Sequence, residues 1–145
     1  MPQAERALIE LKIKSLHKGY MVTEKQHSIV IAEFNAIPES GLEWQYPEDP
    51  QISLLLFRRQ GRLYVYRDVC PHQGRQFGFG RPGESRRFLF DKQNRLMCPH
   101  HGAVFQVSDG VCVSGPCRGA GLTEVPVKIE DGVVTVRRQD LEITH

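Results

Sequence analysis

The sequence predicts an all-β domain, an antiparallel β-sandwich or small barrel. Short runs rich in Val, Ile, Leu and aromatic residues recur along the chain. Turn dipeptides separate them at Gln60-Gly61, Asp109-Gly110 and Asp131-Gly132. No long helical stripe competes with them. At 145 residues the chain fits one domain with a modest core. Its 19 Lys and Arg against 17 Asp and Glu leave a formal charge of +2, which by itself names no partner and gives no case for nucleic acid.

Residues 4–18 are ambiguous. Ala4, Ala7, Leu8 and Leu11 fit a helical stripe, while Ile9, Leu11 and Ile13 fit strand alternation equally well. Gly19 ends either. This stretch reads as an edge element or tail, or else as a docking arm for a partner or a second copy. Ser28 to Phe34 is apolar and β-branched, a strand. Pro38 to Pro50 reads as a loop holding Trp44 and Tyr46, packed on the sheet or offered as a contact surface. Ile52–Arg58 and Leu63–Val69 are strands joined at Gln60-Gly61. Residues 73–97 begin as an irregular loop with Gly74, Gly78, Gly80 and Gly83, anchored by Phe77 and Phe79. They continue as a hairpin, Arg87–Phe90 and Arg95–Cys98, turning at Lys92-Gln93-Asn94. Ala103–Val107, Val111–Val113, Thr123–Ile129 and Val133–Arg137 complete roughly eight to ten strands.

Two stretches carry the chemistry: Cys70-Pro71-His72 and Cys98-Pro99-His100-His101. Each supplies a thiol and at least one imidazole in a turn-like setting, with Gly74 and Gly102 close behind. The gap between them exceeds one hairpin turn, so two separate loops must meet in the fold. Two Cys and two His suit a metal. Zinc takes such a set, but its pairs usually run C-x₂₋₄-C and H-x₃₋₅-H. Here Cys and His are mixed within each pair.

The C-x-H and C-x-x-H pattern resembles the Rieske family of [2Fe–2S] proteins, in which two His replace two Cys on one iron. Beyond the ligands, His101-Gly102-Ala103-Val104-Phe105, Gly110, and Gly115-Pro116 resemble the family's H-G-x-x-F stretch and its Gly-Pro loop over the cluster. Val125-Pro126-Val127 and Asp131-Gly132 look like its closing hairpin. The resemblance implies a Rieske-like antiparallel sandwich with a cluster-binding subdomain of two ligand loops. It divides the chain into an N-terminal extension (1–27), the Rieske domain (28–138) and a C-terminal tail (139–145).

By the same resemblance, Cys70 and Cys98 hold the inner iron of one [2Fe–2S] cluster, and His72 and His101 hold the outer, solvent-facing iron. His100 is then an exposed neighbour. Two thiolates bring an oxidised cluster core to zero charge where four would bring it to minus two, so His ligation raises the potential. High-potential relatives carry an extra disulfide between the ligand loops and hydroxyl residues after the H-G. Here those positions are Arg75 and His100, Ala103 and Phe105. The chain therefore resembles the low-potential, ferredoxin-like branch, with an expected potential of roughly −150 mV or a little above.

The implied function is a soluble one-electron carrier, without catalytic activity of its own. It would pass electrons from a reductase to an oxygenase or other redox acceptor. A self-contained oxygenase would need a further iron on two His and a carboxylate. Outside the motif only His17, His27 and His145 are left, all near the termini. The alternative is a small Rieske-like subunit of a larger reductase such as assimilatory nitrite reductase. Residues 73–97 carry six basic against two acidic side chains. That surplus is a solvated face or a docking surface for an acidic partner, whose effect would fall on association rate and weaken with salt.

Cys112 and Cys117 flank Gly115-Pro116 and read as two thiols packed near the cluster loop or as a pair able to oxidise. No apolar run is long enough for a transmembrane helix, and the mean hydropathy is −0.38. Met1-Pro2-Gln3-Ala4-Glu5-Arg6 is not followed by the apolar core of a signal peptide. A cytoplasmic location in a reducing compartment is expected.

Overall fold

The run Ser53-Leu54-Leu55-Leu56-Phe57 has no polar face to turn to water, and it becomes a strand covered on both sides. The structure, a computed structural model, describes residues 21–22, 27–72, 74–79 and 87–142. The helix-or-strand reading of residues 4–18 lies outside them.

The described strands are β1 (Met21–Val22), β2 (Ser28–Glu33), β3 (Leu42–Gln45), β4 (Ser53–Arg59), β5 (Arg62–Arg67), β6 (Leu89–Phe90), β7 (Leu96–Met97), β8 (Val104–Phe105), β9 (Cys112–Ser114), β10 (Lys128–Glu130) and β11 (Val133–Arg137). A 3₁₀ turn, Phe34–Ala36, follows β2, and a four-residue helix, α1 (Arg138–Leu141), follows β11. The strands form three antiparallel sheets in the orders β1-β2-β11-β10, β3-β4-β5 and β6-β7-β8-β9. The all-β expectation holds.

The middle sheet is shared between two cores. Along β4, side chains alternate faces. Leu54 and Leu56 join Ile29, Val134 and Val136 of the first sheet, while Leu55 and Phe57 join Leu96 and Phe105 of the third and Ala103 just before β8. β5 splits the same way, Val65 to one core and Tyr66 to the other. Each fully buried Leu or Phe contributes about 1.5–3 kcal/mol by burial, so neither face of β4 can be given up.

Two turns form as their dipeptides predict. Gln60-Gly61 (φ 52° and 76°) joins β4 to β5, and Asp131-Gly132 (φ 52° and 77°) joins β10 to β11. Both central residues have positive φ, as a type I′ hairpin requires. In the third sheet, Asp91 shapes the turn after β6. Its Oδ1 accepts from the backbone N–H groups of Gln93 and Arg95.

Two readings are corrected. Within Pro38–Pro50, expected to be a loop, Leu42–Gln45 is a strand, paired Leu42↔Leu56 and Trp44↔Leu54 with β4. Pro38, Pro47 and Pro50 hid a four-residue alternation between them. Tyr46 is buried and stacks on Trp44 at 5.8 Å, so these aromatics are packing residues. Thr123–Ile129 is strand only from Lys128 on. Pro126, which has no N–H, falls inside it, and Thr123 and Val125 instead bond singly to Arg67 and Val65 of β5. At the end of the described residues, α1 is docked through Leu141. That side chain is fully buried, and its carbonyl accepts from Arg67 Nη1 at 2.7 Å.

The Tyr66 hydroxyl donates to the Val107 carbonyl, tying the middle sheet to the third. Tyr66→Phe is expected to cost about 1–3 kcal/mol, since the buried carbonyl loses its partner. Burial, with Glu124 nearby, pushes the Tyr66 hydroxyl up to about 12. The unfolded hydroxyl ionises near its ordinary value of about 10, so this contribution is complete below that pH and is lost as pH rises through the folded value. Urea midpoints of both proteins should therefore show a gap that is constant up to pH about 10 and narrows between about 10 and about 12. A gap that never narrows, or is absent at neutral pH, contradicts this role.

Candidate metal centre

The first ligand loop follows β5 and the second links β7 to β8. Both close by the same hydrogen bonds. In the first, the Cys70 N–H donates to the Arg75 carbonyl (2.7 Å) and the Gly74 N–H to the Cys70 carbonyl (2.7 Å). In the second, the Cys98 N–H donates to the Ala103 carbonyl (2.8 Å) and the Gly102 N–H to the Cys98 carbonyl (2.9 Å). Gly74 and Gly102 share a left-handed backbone, φ 69° and 72°. A Cβ on either would meet nothing within 4 Å, so the requirement is conformational rather than steric.

These loops bring the four predicted residues to one end of the third sheet. Cys70 and Cys98 are almost fully buried in the same core. His72 is half-buried and His101 exposed, their rings edge to face at 4.8 Å. His100 points elsewhere, its Nδ1 lying 3.4 Å from Arg75 Nη1. In loop position His100 matches His72, yet it is the ring of His101 that meets His72.

The donor chemistry fits a cationic group. Burial pushes the Cys70 thiol up, and the neighbouring Cys98 adds to the rise, while the His72 backbone N–H, donating to the Cys70 sulfur, pulls the other way. Two thiolates in so apolar a pocket would be costly unless a bound cation neutralised them. The Nδ1 of His72 is buried without a hydrogen-bond partner, a ring nitrogen that a bound group would satisfy. Among the described residues, no three His, Cys, Asp or Glu side chains are grouped to hold one ion. A sulfur pair below and an imidazole pair above suit a group with two metals better than a zinc ion ringed by four ligands.

A family model described as the Rieske [2Fe-2S] domain matches residues 17–136. The chain belongs to this family. Membership implies one [2Fe–2S] cluster, which the thiol and imidazole pairs could hold.

Solved structures share the fold. The terminal oxygenase of carbazole 1,9a-dioxygenase from Novosphingobium sp. KA1 matches with TM-score 0.59 and 20% identity over 77% of this chain. The corresponding oxygenase from Nocardioides aromaticivorans IC177 matches with TM-score 0.58 and 24% identity over 82%. This chain spans only 29% and 31% of those two oxygenases. The ferredoxin of the Nocardioides dioxygenase matches with TM-score 0.57 and 16% identity, over 77% of this chain and 97% of that one. No curated protein matches significantly.

Around the Rieske loops the expected basic surface is partly tied down. Arg95 pairs with Asp91 at 2.7 Å, and Arg87 lies over the Phe79 ring at 5.6 Å. Arg75 and Lys92 are exposed. Arg81, Glu84 and Arg86 lie outside the described residues.

A support under the first loop was missed in the sequence. Asp68 is buried, its Oδ1 accepting from the Phe77 N–H (2.8 Å) and its Oδ2 from the Ser53 hydroxyl (3.0 Å). Ser53 Oγ in turn accepts from Gln76 Nε2 at 3.1 Å. Asp68 thus clamps the end of the first loop to β4, and Phe77 packs edge to face on Phe105 beneath it. The available signal was an acidic residue ending an apolar strand two positions before a ligand cysteine. Asp68→Ala should cost about 1–3 kcal/mol by stranding two donors. It should also speed iron loss to a chelator. Unchanged chelation kinetics in a measurably destabilised variant would contradict the clamp.

Proposed function

We propose that the chain is a one-electron carrier, taking electrons from a reductase and passing them to an oxygenase or another redox acceptor. The observation that carries this reading is the depth order of the site, two buried thiols beneath a half-buried and an exposed imidazole. A bound [2Fe–2S] cluster supplies reversible uptake of a single electron. Cys70 and Cys98 would hold its inner iron away from water, and His72 and His101 its outer iron at the surface where a partner docks. The repeated loop closures and the Asp68 clamp keep these side chains fixed, so little rearrangement accompanies a change of charge. Exposed Arg75 beside His100 adds positive charge at the rim and favours an acidic partner.

The ferredoxin likeness, which extends over 97% of that protein's length, supports a carrier. Several oxygenases in the comparison were solved as complexes with a ferredoxin, and a partnership of that general kind is proposed for this chain. We place this activity in a reducing, cytoplasmic compartment.

Replacing each histidine in turn tests the ligand assignment. His101→Ala should lose most of its iron and sulfide, whereas His100→Ala should keep both and change only association with the partner. The reverse pattern would overturn the assignment. In the wild type, an anaerobic reductive titration should take one electron per chain, returned on adding a protein acceptor. A cluster that is reduced but cannot deliver to any protein acceptor would contradict the carrier.

A further inference from the structure

We propose that Cys112 and Cys117 form a modification site, at which hydrogen peroxide oxidises the pair to a disulfide that fastens the strap after β9 against the second ligand loop. The pairing is independent of which group the ligand loops hold.

The strap already holds the two cysteines together. Their sulfurs lie 3.1 Å apart, with the Cys117 thiol donating to Cys112. Ala120 ties both backbones. Its carbonyl accepts from the Cys112 N–H at 2.8 Å, and its N–H donates to the Cys117 carbonyl at 2.9 Å. The Gly119 N–H adds a bond to the Cys112 carbonyl at 3.1 Å. A disulfide places its sulfurs about 2.0 Å apart, so roughly 1 Å of approach closes the link. The same strap leans on the metal end. Gly115, at φ 98°, sits so close to the second ligand loop that a Cβ there would lie 2.8 Å from Ala103 Cα.

Accessibility and hydrogen bonding set the order of events. Cys117 is 8% exposed, against 1%, 2% and 1% for Cys70, Cys98 and Cys112, so a small oxidant meets Cys117 first. Its sulfur attacks one peroxide oxygen and the O–O bond breaks. Cys117 becomes a sulfenic acid and one water is released. Cys112 directs its own proton to the Ser114 carbonyl at 3.3 Å, which leaves a sulfur lone pair facing Cys117. The Cys112 sulfur then displaces the hydroxyl group. The S–S bond forms, the S–O bond breaks, and the Cys112 proton leaves with the hydroxyl as a second water. Two thiols thus lose two electrons, and one peroxide is reduced to two waters. Burial pushes the Cys117 thiol up to about 12, so thiolate is scarce and the first step is slow. The second is fast, because the sulfurs are already held together.

The test exposes the protein as purified to a small excess of hydrogen peroxide, blocks the remaining thiols and maps the peptides. The wild type should lose two hydrogen atoms, carry a link between Cys112 and Cys117, and recover both thiols in dithiothreitol. Cys112→Ser should stop at the sulfenic acid, captured on Cys117 by dimedone. Cys117→Ser should leave Cys112 unoxidised. Amide exchange over residues 115–120 should slow several-fold in the linked protein. The absence of a link, with the thiols intact or Cys117 carried on to the sulfinic acid, would overturn the proposal. So would a link to Cys70 or Cys98 instead, one that forms only after iron is lost, or unchanged exchange in fully linked protein.

Discussion

Everything about the site depends on β4 being covered on both faces. Its period of two sends Leu54 and Leu56 into one core and Leu55 and Phe57 into the other. The first core ties the middle sheet to β2 and β11, with Leu141 of α1 sealing it. The second supports the ligand loops, because Phe77, Leu96, Ala103 and Phe105 pack from the same side as the four cysteines. A polar residue at Leu55 or Phe57 would loosen the metal end, and the same change at Leu54 or Leu56 would loosen the base.

On that floor, the centre is assembled from two loops that repeat one backbone design but contribute unequal donors. Equal closures and left-handed glycines give both thiols the same depth. The offset of one residue between His72 and His101 brings two rings together at the surface and leaves His100 to Arg75. Depth separates the roles: the sulfurs are kept from water, where protonation and oxidation would compete, and the imidazoles stay near a partner's surface. A third layer would act through the proposed ligands. Asp68 fixes the first loop from below, and Gly115 packs closely against Ala103 of the second. These supports would set how firmly the group is held.

The ligand loops and hairpins were legible because their signals are local. Cys70-Pro71-His72, Cys98-Pro99-His100-His101, Gln60-Gly61 and Asp131-Gly132 each specify a backbone shape within a few residues. β3 was not legible, because its four residues are flanked by prolines and its strand character comes from pairing with β4. The strand expected over Thr123–Ile129 failed at Pro126, where apolar alternation outweighed the missing N–H in the reading but not in the sheet. Asp68 was illegible for a different reason. Its partners, Ser53 across the β4–β5 pairing and Phe77 beyond the first loop, become neighbours only in the folded chain, and no spacing along the sequence records that.

The central claim is that two buried thiols and two outer imidazoles hold one iron–sulfur cluster. The most direct measurement is a count of iron and acid-labile sulfide in anaerobically purified protein, with an EPR spectrum after reduction. The account predicts two irons and two sulfides per chain. It also predicts a signal only in the reduced state, with an average g below the free-electron value. A colourless protein holding one zinc and no sulfide would contradict it, and the site would then be structural rather than redox.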